Sequence, residues 1–289
     1  MNLLEMRIRK MGINRDERLK VFEDTENAVK TIERLKEAVA YSTVNQKLIF
    51  ETQSIDDTKK QYDKDARVIV SSKRSFEAAE EYKDKKVCVL NFASASNPGG
   101  GVTKGASAQE ECLCRTSTLY FSLNTKEMWD GFYGPHRVQR NPLHNDDIIF
   151  TPDVVVFKTD ADKPARRKEE EWFKVDVISC AAPNLRNMPS NSYNSGDGDI
   201  PVKPNDENLY QIQVRRFKRI LEVAASMGEE ILILGAFGCG AFENNPKVVA
   251  KAAKDAVEQY KKNFELIEFA VFCTPQKREN YDAFKKEFS

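Results

Sequence analysis

The stretch Asn97-Pro-Gly-Gly-Gly-Val-Thr-Lys-Gly-Ala-Ser-Ala-Gln-Glu-Glu111 decides how this chain is read. It follows an apolar run, Val87–Phe92, and precedes a segment, Ser107–Leu119, that reads as helix. Gly99, Gly100 and Gly101, with Gly105 behind them, lack Cβ atoms, so the loop can adopt positive φ and let a ligand approach its backbone. A strand, a glycine loop and a helix N-terminus in that order suit a phosphate. Two adjacent carboxylates add acid–base chemistry. Ser107 and Glu110 match the S-x-x-E capping box, so Glu110 has a structural explanation that Glu111 lacks. Successive helical residues project about 100° apart, so one carboxylate is expected to do chemistry while the other holds geometry.

The chain on either side alternates strands and helices. RVIVS (67–71), VDVISC (175–180), VVVFK (154–158) and ILIL (231–234) read as strands, with another at Phe269–Cys273. Ser75–Tyr82 reads as a short helix capped by Ser75, Glu207–Met227 as a long amphipathic one, and Pro246–Lys262 and Gln276–Phe288 as two more. Strand 231–234 leads into a second glycine loop, Gly235-Ala-Phe-Gly-Cys-Gly-Ala-Phe242. This alternation predicts an α/β fold, a mostly parallel sheet covered on both faces. Ligands of such sheets sit at the carboxyl ends of the strands, so both loops are expected on one edge, converging on a pyrophosphate. Neither loop is a Walker A or G-x-G-x-x-G fingerprint, which disfavours a kinase or a dehydrogenase.

Residues 1–65 are charged and glycine-poor, and they predict an α-rich extension packed on a core of residues 66–289. A helix is expected at about 25–40 and a strand at Lys47–Glu51. Phe132–Asp153 predicts an ordered excursion over the site, and Met188–Asn208 a mobile loop. His136 and His144 are expected as surface or packing residues, and KTDADKPARRK (158–168) as a solvated basic turn. Lys+Arg and Asp+Glu both number 45, and this neutrality argues against a generally basic nucleic-acid binder. No apolar run approaches the roughly 18–20 residues that span a bilayer, and Met1–Lys20 is too charged for a signal peptide. A cytoplasmic monomer without membrane contact is expected. The six cysteines lack metal or disulfide spacing, and reduced thiols are expected. With two histidines, neither a metal site nor a cofactor is expected. Cys239, in the second glycine loop, is a conceivable nucleophile but reads as a packing residue, as do Cys112 and Cys114.

Gly99-Gly100-Gly101, seven intervening residues and Gln109-Glu110-Glu111 resemble the GGG…QEE signature of poly(ADP-ribose) glycohydrolases. NFASASNPGGG and AQEECLCRTSTLY are similar to the compact microbial form, and the likeness extends through TPDVVVFK, AAPN and GAFGCGAF over residues 65–289. The resemblance implies a macrodomain, a three-layer α/β/α sandwich with a mixed, mostly parallel sheet. It implies poly(ADP-ribose) as substrate and ADP-ribose as product, cleaved from chain ends. By position, it puts Gly99, Gly100, Gly101 and Val102, with Gln109, against the terminal ribose and phosphate, and Asn97 as a partner for that ribose. Gly235, Ala236, Phe237, Gly238, Cys239, Gly240, Ala241 and Phe242 become the diphosphate loop, with Phe237 packing on the ligand. Glu111 aligns with the catalytic glutamate and Glu110 with its supporting neighbour. Glu111 is then a general acid at a helix N-terminus, where the dipole favours its ionised form; desolvation must win. A non-catalytic ADP-ribose reader, and a hydrolase of mono-ADP-ribosylated protein or nucleic acid, are the alternatives.

Overall fold

Seven strands form one sheet in the order β1-β4-β5-β3-β6-β7-β2, where β1 is Lys47–Ile49, β2 Arg67–Ser71, β3 Val87–Phe92, β4 Ile148–Val156, β5 Phe173–Cys180, β6 Ile231–Leu234 and β7 Leu266–Ala270. The computed structural model describes residues 13–55 and 62–289. Strands β2, β7, β6, β3 and β5 run parallel, whereas β4 is antiparallel to both β5 and β1. The sheet is therefore mixed and mostly parallel.

The period-two alternation of a strand divides each apolar run between two cores. Cys88 and Leu90 of β3 face one cluster, under helices 206–226 and 246–257, while Val87 and Val89 face another that holds Phe76, Leu113 and Phe132. Helices on both faces make this a three-layer α/β/α, macrodomain-like sandwich.

Ten α-helices are described. They are α1 (Arg15–Thr31), α2 (Glu33–Asn45), α3 (Ser75–Glu80), α4 (Gln109–Thr116), α5 (Leu119–Leu123), α6 (Lys126–Met128), α7 (Gly134–Gln139), α8 (Asp206–Ser226), α9 (Pro246–Val257) and α10 (Glu279–Glu287). The N-terminal segment thus holds two helices broken at Ile32 rather than one at 25–40. Its strand β1 pairs with β4 inside the main sheet. Buried Lys158 donates to Val21 O (2.7 Å) and Thr25 Oγ1 (2.6 Å) and pairs with Asp24 (2.9 Å). Arg166 grips the same aspartate, and Arg167 makes a two-pronged bridge to Glu80. The basic run 158–168 is accordingly tied to carboxylates, not a solvated turn.

Two other expectations are corrected. The segment 107–119 is not one helix: α4 ends at Thr116, and Ser117 bridges to Val156. Strand β4 starts at Ile148, six residues earlier than expected, and passes Pro152 through a bulge with Asp153 at φ 55°.

Candidate active site

β3 and β6 are neighbours pointing the same way, so both glycine loops leave from the same edge of the sheet. Between them lies a cleft of about 710 Å³, lined by Gly100, Gly101, Glu110 and Glu111 on one side and by Gly238 and Phe242 on the other. The expected convergence is present, on a scale that suits a nucleotide-sized ligand.

Glu110 and Glu111 sit in the first turn of α4, after Ala108. Glu111 Oε1 accepts the Gly101 N–H (2.8 Å), while its Oε2, also buried, has no hydrogen-bond partner among the described residues. A Cβ on Gly100 would stand 2.5 Å from Glu111 Oε1 and 3.0 Å from Glu110 Oε2, and Gly100 has φ 59°. Only glycine allows that approach. Glu110 turns the other way, accepting from Ser94 N (2.8 Å) and Asn91 Nδ2 (3.2 Å). The capping-box expectation is therefore wrong: Ser107 is not the cap, because α4 starts after Ala108 and Glu110 finds its donors at Asn91, within β3, and at Ser94 just beyond it. Gln109 closes the set from below, accepting the Phe92 N–H (2.9 Å) and donating to Leu90 O (2.8 Å) and Ser75 Oγ (3.0 Å). Ser75 is thus the first residue of α3, not its cap.

Burial pushes both glutamates above the usual carboxylate range. For Glu111, desolvation outweighs the Gly101 N–H and the Arg115 charge; for Glu110, desolvation is joined by the negative charge of Glu111 and carries it well above. At Glu111, burial therefore opposes the helix dipole, whose own effect is about 0.3–1 kcal/mol.

The second loop is held by buried Asn244, whose amide donates to Pro183 O (2.6 Å) and Gly238 O (3.1 Å). Gly238 has φ 76°, and a Cβ there would meet Ala182 Cβ at 2.7 Å.

The family model for the microbial-type PARG (poly(ADP-ribose) glycohydrolase) catalytic domain matches residues 17–159. A solved poly(ADP-ribose) glycohydrolase from Thermomonospora curvata is 27% identical, with TM-score 0.79 over 94% of this chain and 99% of that one. The same enzyme bound to the inhibitor ADP-HPD gives 28% identity and TM-score 0.76, at the same coverage. The glycohydrolase from Deinococcus radiodurans in complex with ADP-ribose is 31% identical, with TM-score 0.72 over 87% of this chain and 97% of that one. The chain belongs to the microbial-type PARG family. No curated protein sequence matches it.

Not every expected site residue faces the cleft. Phe237 is fully buried against Phe92 (5.7 Å between ring centroids) and Phe217 (5.9 Å). The tight turn Phe237 N→Gly235 O (2.8 Å) drives it into the core, and Phe242 supplies the aromatic wall instead. Asn97 does not line the cleft; its amide donates to Ser195 O (2.7 Å) and accepts from Arg137 Nη1 (3.1 Å). Val102, fully buried, packs under its loop with Leu113 and Cys114. Gly99, Gly235 and Cys239 shape their turns from outside the cleft, whereas Ala236, Gly240 and Ala241 line it. Burial raises the thiols of Cys112, Cys114 and Cys239, so none is an activated nucleophile.

Sequence reasoning missed the residues that come from remote segments. Arg18 of α1, Arg74 before α3, Arg186, Tyr193 and Asn194 all line the cleft. Tyr193 and Asn194 belong to the segment expected to be mobile, Arg186 lies just before it, and the structure pins that segment. Buried Asp197 accepts from Ser96 Oγ (2.5 Å), Asn194 Nδ2 (2.6 Å) and Asn184 Nδ2 (2.7 Å). Burial pushes its carboxyl up, but His144 at 3.5 Å, with Ser96 and Asn184, outweighs that and holds it at about 2. His136 and His144 are buried packing residues, bonded to Phe132 O and Ala182 O (2.8 Å each). In sequence the only signal of this knot was its density of Asn, Ser and Asp.

Proposed function

We propose that the protein hydrolyses the ribose–ribose O-glycosidic bonds of poly(ADP-ribose) from chain ends, releasing ADP-ribose, with Glu111 as general acid and base. One observation carries this reading: a buried glutamate with a raised pKa is clamped by the glycine loop that borders a cleft sized for one ADP-ribose unit. The comparison structures that hold ADP-HPD and ADP-ribose support the choice of ligand.

In this mechanism the two glycine loops offer backbone N–H groups to the diphosphate, and Phe242 bounds the terminal ribose. Glu111 gives its Oε2 proton to the leaving 2′-oxygen as the anomeric C–O bond breaks. The anomeric carbon gains oxocarbenium character, offset in part by the ligand's own diphosphate. The Glu111 carboxylate then takes a proton from a water whose oxygen bonds to that carbon, which restores the acid. Glu110, hydrogen-bonded to Ser94 and Asn91, fixes the loop rather than joining the proton transfer. This departs from two carboxylates flanking the bond.

The test is Glu111→Gln, which keeps shape and hydrogen bonding but cannot give a proton. ADP-ribose binding is expected to survive and release of ADP-ribose from the polymer to vanish. Retained turnover refutes the assignment, and wild-type binding without turnover favours a reader.

A further inference from the structure

The cleft does not stop at Glu111. Beyond Gly101, whose N–H holds Glu111, it runs on past Ala106 and Ser107 to Arg18 and Tyr193. Here the N-terminal segment, which carries no motif, reaches the site. Arg18 of α1 donates Nε–H to Gly105 O (2.7 Å) and Nη1–H to Ile13 O (2.6 Å), which fixes its guanidinium and leaves Nη2 without a bond among the described residues. Lys104 donates to Ser192 O (2.6 Å) and is exposed. Among the described residues neither cation lies within 4.0 Å of a carboxylate, although the chain is neutral overall. Arg15 beside them holds Lys104 O (3.0 Å) and is partly offset by Asp16 at 3.7 Å. Tyr193 stands between, 42% exposed, its Cβ only 3.2 Å from where a Gly101 Cβ would be. Gly101 is the residue that clamps Glu111.

Two fixed cations around an exposed aromatic ring suit a ligand that has both a base and a diphosphate. We propose that Arg18, Lys104 and Tyr193 form an acceptor-side subsite for the next ADP-ribose unit of the polymer: the ring takes the adenine of the leaving adenosine and the cations take its diphosphate. This rests on the glycohydrolase reading, and it gives α1 a role in the reaction.

The test compares two substrates for wild type, Tyr193→Ala and the double variant R18Q/K104Q. One is poly(ADP-ribose); the other is ADP-ribose carrying a small aryl leaving group at the anomeric carbon, which has no second unit. The ratio of kcat/KM for polymer over aryl glycoside is expected to fall about tenfold in each variant, the size of one lost base stack or charge contact. The polymer rate of the double variant should also depend less on salt. Equal losses on both substrates, as from damage to the glycine loop, overturn the subsite, as does an unchanged ratio. A ratio that shifts only when ADP-ribosylated DNA replaces the polymer also overturns it. A wild type inactive on polymer overturns the functional reading, and the subsite with it.

Discussion

Gly100→Ala tests how tightly the carboxylate is placed. The added Cβ would lie 2.5 Å from Glu111 Oε1 and 3.0 Å from Glu110 Oε2. An optimal contact near 3.5 Å requires Glu111 to retreat by about 1 Å, against the pull of the Gly101 N–H. A displacement of about 1 Å at a reacting group costs roughly 100-fold in rate. Alanine at φ 59° also costs about 1–2 kcal/mol in the backbone, which lowers Tm by about 2–8 °C for a large domain. The assay pairs initial rates of ADP-ribose release with a thermal melt. A kcat reduced about 100-fold, with a folded protein melting slightly lower, is expected. A variant that melts lower yet keeps its rate within about threefold would refute the argument, because the glycine would then serve the fold and not the position of Glu111.

Three further outcomes follow from the charges. With Glu111 acting as an acid above the usual carboxylate range, kcat/KM should fall as pH rises through its pKa; a rate that climbs instead would remove the acid role. Glu229 is buried beside Asp176, its pKa raised to about 9 by desolvation and then by that carboxylate, with Lys86 at 3.3 Å. Its folded pKa exceeds the unfolded one, so its stabilising contribution is full below about pH 4.5 and fades as pH rises towards 9. Glu229→Gln should flatten Tm against pH over that window; parallel curves would show that the group does not titrate there. Asp146 pairs with fully buried Arg216 (2.7 Å), which also donates to Ala181 O (2.6 Å) beneath the cleft. Asp146→Ala leaves that guanidinium unpaired and should cost about 3–5 kcal/mol, read by denaturant melts; a loss under about 1 kcal/mol would mean the arginine finds another partner.

The glycine loops and the sheet were legible because their signals are local. Val87–Phe92 and Ile231–Leu234 are apolar runs ending at glycine, and two such strands side by side put their loops on one edge whatever the rest of the chain does. What failed was decided by partners distant in sequence. Glu110 reads as a capping residue until Asn91 and Ser94 are folded against it. Phe237 and Phe242 are interchangeable in the text GAFGCGAF, and only the turn at Gly235 and the rings of Phe92 and Phe217 decide which one is swallowed by the core. The sequence starts β4 after Pro152, because a proline inside a strand reads as a break; the bulge at Asp153 lets pairing with β5 resume beyond it. Asp197 looked like part of a polar, wandering loop, yet three hydrogen bonds to Ser96, Asn184 and Asn194 make it the point at which that loop is tied to the glycine turn. Polar density predicts disorder only when the polar groups find water, and here they find one another. The same holds for Arg18, an unremarked arginine on an N-terminal helix, which gains its place at the cleft only because Gly105 O and Ile13 O fix its guanidinium there. The glycine loops and the glutamates are thus written in contiguous motifs, while Arg18, Arg74 and Arg186 reach the cleft from segments whose sequence carries no mark of it.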